Sequence, residues 1–142
     1  MEIRRATEAD LNVMRRLWEH FTAEATFTPY PGTAFESSLV TKHTALLAEE
    51  DGRIVGTVYA NTASPDFGYV FGLYTVPDAR RRGTAVALMR AIASVLRDEG
   101  RRYVVLSVDT PNEQARALYD RLGFEDAARM LRIEVDALLD SE

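Results

Sequence analysis

The stretch Phe67–Arg97 limits the fold more than any other part of the chain. Residues 67–76, FGYVFGLYTV, are aromatic and β-branched and read as a strand. A short turn holding Arg80, Arg81 and Arg82 leads to Gly83. Thr84–Arg97 then carries Leu88, Met89, Ile92, Val95 and Leu96 on one apolar stripe, with Gly100 placed as a C-terminal stop. A strand that passes through so short a turn into an amphipathic helix lays that helix on its own sheet, the mark of an α/β chain.

The flanking segments extend this pattern. Ile3–Arg5 is a short strand, and Thr7-Glu8-Ala9-Asp10 is a capping box ahead of a helix with Leu11, Met14, Trp18 and Phe21 at helical spacing. Thr22–Pro31 breaks that helix as a loop of aromatic and small polar residues, a composition common in binding loops. Phe35–Lys42 reads as a second short helix. Thr44–Ala48 and Arg53–Ala60 read as strands joined by Glu49-Glu50-Asp51-Gly52, in which Asp-Gly supplies the positive φ values of a type I′ turn. Gly72 inside the strand at 67–76 suggests a bulge or a close approach by another backbone.

Beyond Gly100, Tyr103–Val108 is a nearly continuous apolar run, expected of a strand buried on both faces. Thr110-Pro111-Asn112-Glu113 predicts a capped helix start with proline at its first position, followed by Ala115, Leu118 and Leu122 and a stop at Gly123. Met130–Val135 alternates and predicts a final strand. The order of elements predicts a mixed central sheet of six to seven strands with helices on both faces.

Composition narrows the function. The 142 residues carry a net charge of −5 and no cysteine, which excludes disulfides, thiolate metal sites and cysteine nucleophiles. An acidic balance argues against a sequence-independent nucleic-acid binder. No run approaches the roughly 20 apolar residues that span a bilayer, and the N-terminus lacks an apolar signal core. The expectation is a cytoplasmic protein with no membrane partner, no nucleic-acid partner and no metal.

Two readings of Arg80–Gly83 stand side by side. Arg81 to Ala85 fall at a helix N-terminus, where free N–H groups and the macrodipole suit a phosphate or pyrophosphate. Gly83 removes the Cβ that would block approach, and the arginines would add charge-assisted bonds at the rim. The other reading is a solvated arginine turn that Gly83 merely shapes.

Arg80-Arg81-Arg82-Gly83-Thr84-Ala85 resembles the Gln/Arg-x-x-Gly-x-Gly/Ala signature of the GNAT superfamily of N-acetyltransferases, and Leu73-Tyr74-Thr75-Val76-Pro77 stands where those enzymes end a strand in Val-x-Pro, with Thr75 in the valine position. Asn112-x-x-Ala115-x-x-Leu118-Tyr119-x-x-x-Gly123-Phe124 resembles a second family segment at the expected distance. The resemblance covers nearly the whole chain and implies one GNAT acetyltransferase domain over residues 1–142. Its sheet would splay between the fourth and fifth strands.

The resemblance implies acetyl-CoA as co-substrate and transfer of acetyl to a primary amine of a small molecule or peptide, by direct attack through a tetrahedral intermediate. Leu73, Tyr74 and Thr75 would pair with the pantetheine arm, the amides from Arg81 and Arg82 through Gly83, Thr84, Ala85 and Val86 would hold the pyrophosphate, and Asn112 would contact the arm. Tyr119 matches the family's general acid, although on residues alone it shares a helical face with Ala115 and Leu122 and packs. Phe27 and Tyr30 of the Thr22–Pro31 loop would wall the acceptor. The resemblance allows a homodimer, which no feature of the chain demands.

The base departs from the family pattern. Some relatives place a glutamate in the fifth strand where this chain has Ser107, and others an acid where it has Phe71 and Gly72. Asp109, Asp66 and Glu49 read as turn or cap residues, and His20 and His43 as surface residues. The expectation is deprotonation through water. Loss of the base also keeps open a non-catalytic acyl-CoA sensor or interaction module of the same fold.

Overall fold

The computed structural model describes residues 1–24, 35, 37–108 and 112–141. Five strands form one sheet in the order β1 (Glu2–Arg5), β2 (Thr44–Glu50), β3 (Arg53–Asn61), β4 (Phe67–Thr75) and β5 (Tyr103–Val105). The first four run antiparallel to their neighbours, and β5 lies parallel to β4. At the β2–β3 turn Asp51 and Gly52 take φ values of 52° and 77°, as a type I′ turn requires.

Alternation along the strands sorts the core onto two faces. On one, α3 (Thr84–Asp98) sets Leu88, Met89, Ile92 and Leu96 against Leu46, Val58, Ala60 and Val70. Gly56 and Gly68 let it lie close, since a Cβ at either would meet Leu88 at 2.9 Å or Leu96 at 2.5 Å. On the other face α1 (Leu11–Glu24) and α2 (Ser38–Thr41) cover Ala45, Leu47 and Tyr59 with Met14, Trp18 and Leu39. α4 (Glu113–Leu122) follows β5, and its Tyr119 and Leu122 pack against the α3 cluster.

The sheet departs from the sequence reading at its C-terminal edge. β5 pairs over only three residues rather than through Val108, and Tyr103 and Val105 are exposed rather than buried on both faces. The expected strand at Met130–Val135 does not form. Residues 124–134 have no regular structure, and Val135–Leu139 is a short helix, α5. Among the described residues five strands therefore stand where six or seven were expected, because the tail's alternation finds no partner strand and β5 remains the edge. Met130, Leu131, Ile133 and Val135 all point to solvent.

A charge cluster fastens β1 to the start of α1. Arg4 donates to both carboxylate oxygens of Asp10 at 2.9 Å and to Glu49 at 3.0 Å. Asp10 also accepts from the Thr7 N–H at 2.8 Å, the reciprocal half of the capping box. The Arg4 guanidinium, helped by that N–H and opposed by burial, holds the Asp10 carboxyl at about 2, below the usual carboxylate range. Because the folded pKa is the lower one, the stabilisation is complete above about pH 4 and drains away as pH falls toward 2, amounting to about 2 kcal/mol. Urea unfolding at pH 5 and pH 2.5 should show the parent losing about 2 kcal/mol more than Asp10→Asn over that interval; equal losses would contradict the assignment.

Candidate functional site

β4 carries one residue more than β3 requires. Thr57 pairs with Tyr74 and Tyr59 with Phe71, so Gly72 and Leu73 together face Val58. Gly72 takes a φ of +65°, and a Cβ there would lie 2.6 Å from the Tyr59 ring and 3.0 Å from that of Trp18. Only glycine satisfies both conditions. The bulge turns β4 away from β5: their ladder ends at Tyr69 opposite Val105, leaving the far half of β4 paired with β3 but with no strand on its β5 side among the described residues. The splay expected between the fourth and fifth strands is present.

That half of β4, open on its β5 side, runs straight into the arginine turn. Arg81 and Gly83 take φ values of 65° and 81°, and nothing lies within 4 Å of where a Gly83 Cβ would be. Ala87 donates to the Gly83 carbonyl at 3.0 Å as the first rung of α3. The N–H groups of Thr84, Ala85 and Val86 precede that rung and lie outside the helical ladder. Left-handed residues ahead of a helix start turn successive N–H groups toward one point, a concavity suited to an anion.

The three arginines divide unequally. Arg80 donates to the Thr75 carbonyl at 2.9 Å and to Glu24 at 2.7 Å, and stacks 5.4 Å over the Tyr74 ring. Arg82 donates to Glu50 at 2.9 Å. Only Arg81 of the three has no partner among the described residues. Arg80 braces the turn against the end of α1, and the Thr75 carbonyl is already occupied by it.

Tyr119 lies on α4, half-buried, with its ring 5.4 Å from Phe124 in an edge-on contact. Burial pushes its phenol above the ordinary value, so it keeps its proton at neutral pH. Asn112 caps this helix, accepting from the Ala115 N–H at 3.1 Å. The helix thus begins at Glu113, two residues later than the Thr110-Pro111 reading placed it. Asn has the short side-chain acceptor that an N-cap needs, and its position fills the role.

Ser107 lies just past the end of β5, exposed, and accepts a hydrogen bond from the Tyr69 phenol at 2.8 Å. Its hydroxyl is also 3.7 Å from the Met130 sulfur. Glu49 is a strand residue bound to Arg4 rather than a turn residue, and Asp66 precedes β4, its carbonyl accepting from Arg102 and Tyr103. His20 is exposed on α1. His43 is not a surface residue as expected; it is half-buried, with no partner for Nδ1 among the described residues and its ring 6.0 Å from Phe71. Phe27, Tyr30 and Asp109 lie outside the described residues. Among the described residues no cluster of three metal-ligating side chains occurs and no helix is long and apolar enough to cross a membrane.

Residues 11–124 match the model of the Acetyltransferase (GNAT) family, and the chain belongs to that family. A mycothiol acetyltransferase of Acidimicrobium ferrooxidans is 37% identical over 83 residues, 56% of this chain and 27% of the relative. The chain thus matches only about a quarter of that relative's length. A ribosomal-protein-alanine N-acetyltransferase from Brucella melitensis shares the fold with a TM-score of 0.78 at 22% identity, covering 94% of this chain and 99% of the other. An aminoglycoside N-acetyltransferase solved with CoA superposes with a TM-score of 0.76 at 19% identity, covering 94% and 98%.

Proposed function

We propose that this chain transfers the acetyl group of acetyl-CoA to the primary amine of a small molecule or peptide. The observation that carries this reading is the parted edge of β4 running directly into the left-handed turn at Gly83. The side of β4 turned away from β3 between Leu73 and Thr75 takes up the pantetheine arm as an added strand would, with Tyr74 held by its pairing to Thr57 and the cap residue Asn112 nearby. The pyrophosphate lies against the amides of Gly83, Thr84, Ala85 and Val86, with Arg81 and Arg82 at the rim. The open space at Gly83 supports the fit, because nothing lies within 4 Å of where its Cβ would be.

The amine must arrive neutral, although a free alkylamine has a pKa of about 10.4. Position 107 holds a serine rather than a carboxylate, so the proton leaves to water. An N–H near Leu73 and Tyr74 supports the oxygen that gains charge during attack. As the C–S bond breaks, Tyr119 gives its phenolic proton to the departing sulfur and regains one from solvent. Its raised pKa favours the protonated form from which it donates.

Thiol release from acetyl-CoA tests the reading against a panel that includes an aminoglycoside and an alanine-terminated peptide, acceptor types drawn from the names of the similar proteins. Turnover with one amine supports the transferase. Tight CoA binding with no thiol released from any member would favour the sensor reading, which rests on the serine at position 107. Tyr119→Phe should lower kcat by about 10²-fold while CoA affinity stays within about twofold. Unchanged kcat would return Tyr119 to a packing role.

A further inference from the structure

We infer that Ser107, held by Tyr69, orients the attacking amine in place of a base, an assignment that rests on the transferase reading above. Tyr69 is the last residue of β4 paired with β5, and Ser107 is two residues beyond its partner Val105 on the same side of that strand. Their hydroxyls meet at 2.8 Å at the closed end of the opening, where the backbone ladder has stopped. An arm laid along Thr75 to Leu73 from the Gly83 turn brings its reactive end next to Gly72 and Phe71, at the closed end of the opening. That is where the two hydroxyls lie.

The direction of the hydrogen bond matters. The Tyr69 phenol donates to Ser107 Oγ. A serine oxygen has two lone pairs, so one stays available to accept an amine N–H. A neutral amine held by one N–H has its own lone pair turned elsewhere, and Ser107 fixes that direction. Neither hydroxyl removes a proton; that proton still leaves to water. The competing partner of Ser107, the Met130 sulfur at 3.7 Å, takes the serine proton and leaves the acceptor lone pair untouched.

The faces of the sheet agree with this division. Phe71, on the Tyr69 side of β4, packs with Trp18 and Tyr59 under α1. Tyr119 packs with the α3 cluster. The amine is oriented from one face of the sheet, and the sulfur is protonated from the other.

The test uses thiol release from acetyl-CoA with the best amine of the panel, with release in buffer without amine as the blank. Ser107→Ala should lower kcat/KM by about 3- to 10-fold, the loss of one hydrogen bond, with CoA affinity unchanged. Tyr69→Phe should cost a similar factor, and the double variant no more than the worse single one, because the two hydroxyls act as one unit. Ser107→Thr should restore most of the rate. Ser107→Glu should move the acid limb of the pH–rate profile below that set by the amine. Multiplicative losses, an unaffected Ser107→Ala, or a parallel fall in CoA affinity would each overturn the inference. The last would make the pair a clasp between strands. Wild-type protein that releases thiol to no nucleophile would overturn the transferase reading itself, and this assignment with it.

Discussion

A Gly83→Glu variant is expected to lose CoA affinity by more than about 10²-fold while keeping its fold. Gly83 has a φ of +81° and open space where its Cβ would be. A Cβ added there meets no neighbour within 4 Å. The cost to the fold is the left-handed conformation alone, about 1–2 kcal/mol. The cost to binding is larger: a carboxylate about 4 Å from a phosphate is repelled by about 4 kcal/mol at an effective dielectric constant near 20. Gly83→Asn separates the two terms, since asparagine tolerates the left-handed region and carries no charge. Calorimetric titration with CoA should show the asparagine variant within about tenfold of the parent and the glutamate variant silent. CoA bound equally well by both would remove the phosphate site from this turn.

Gly72→Ala should cost far more stability than its size suggests, about 3 kcal/mol or more, and a melting temperature lower by roughly 10 °C. The new methyl would lie 2.6 Å from the Tyr59 ring and 3.0 Å from the Trp18 ring. Neither ring can withdraw, as both are buried and Tyr59 is also stacked on Phe71, 5.4 Å away. The positive φ adds its own strain. Gly52→Ala is the matched control, since that residue has a φ of +77° with nothing within 4 Å. It should cost only about 1 kcal/mol. Thermal unfolding that ranked the two alike would show that the bulge relaxes to admit a side chain.

Much of this was legible before any coordinates, and the reason is locality. The Asp51-Gly52 turn, the Thr7–Asp10 cap and the Gly100 stop each depend on a few consecutive residues, and each formed as read. Gly72 suggested a bulge or a close approach by another backbone, and the bulge is what formed. The site's backbone was therefore visible in outline from Leu73 to Val86.

The misread segments depend on partners distant in sequence. Val104 to Val108 is apolar enough to be a central strand, yet a strand extends only as far as its neighbour stays beside it, and the bulge carries β4 away after Tyr69. Met130–Val135 has the period of a strand with no edge engaged to pair it. The Tyr69–Ser107 bond was hidden for the same reason, since it requires the parallel register of two strands 38 residues apart. The arginine cluster looked like free positive charge because the carboxylates that take up Arg80 and Arg82 come from Glu24 and Glu50.

The bulge also governs how β4 should be compared with other sequences. Before it, odd-numbered side chains such as Phe71 face α1; after it, even-numbered ones do, as Tyr74 does against Phe21. β4 is in effect two strands written in opposite phase and joined at Gly72. An alignment that slides a one-residue gap across this segment exchanges the inner and outer faces of everything between the two placements, while barely changing the count of identical residues. In this chain, the opening follows from the one residue that β4 carries beyond what β3 requires.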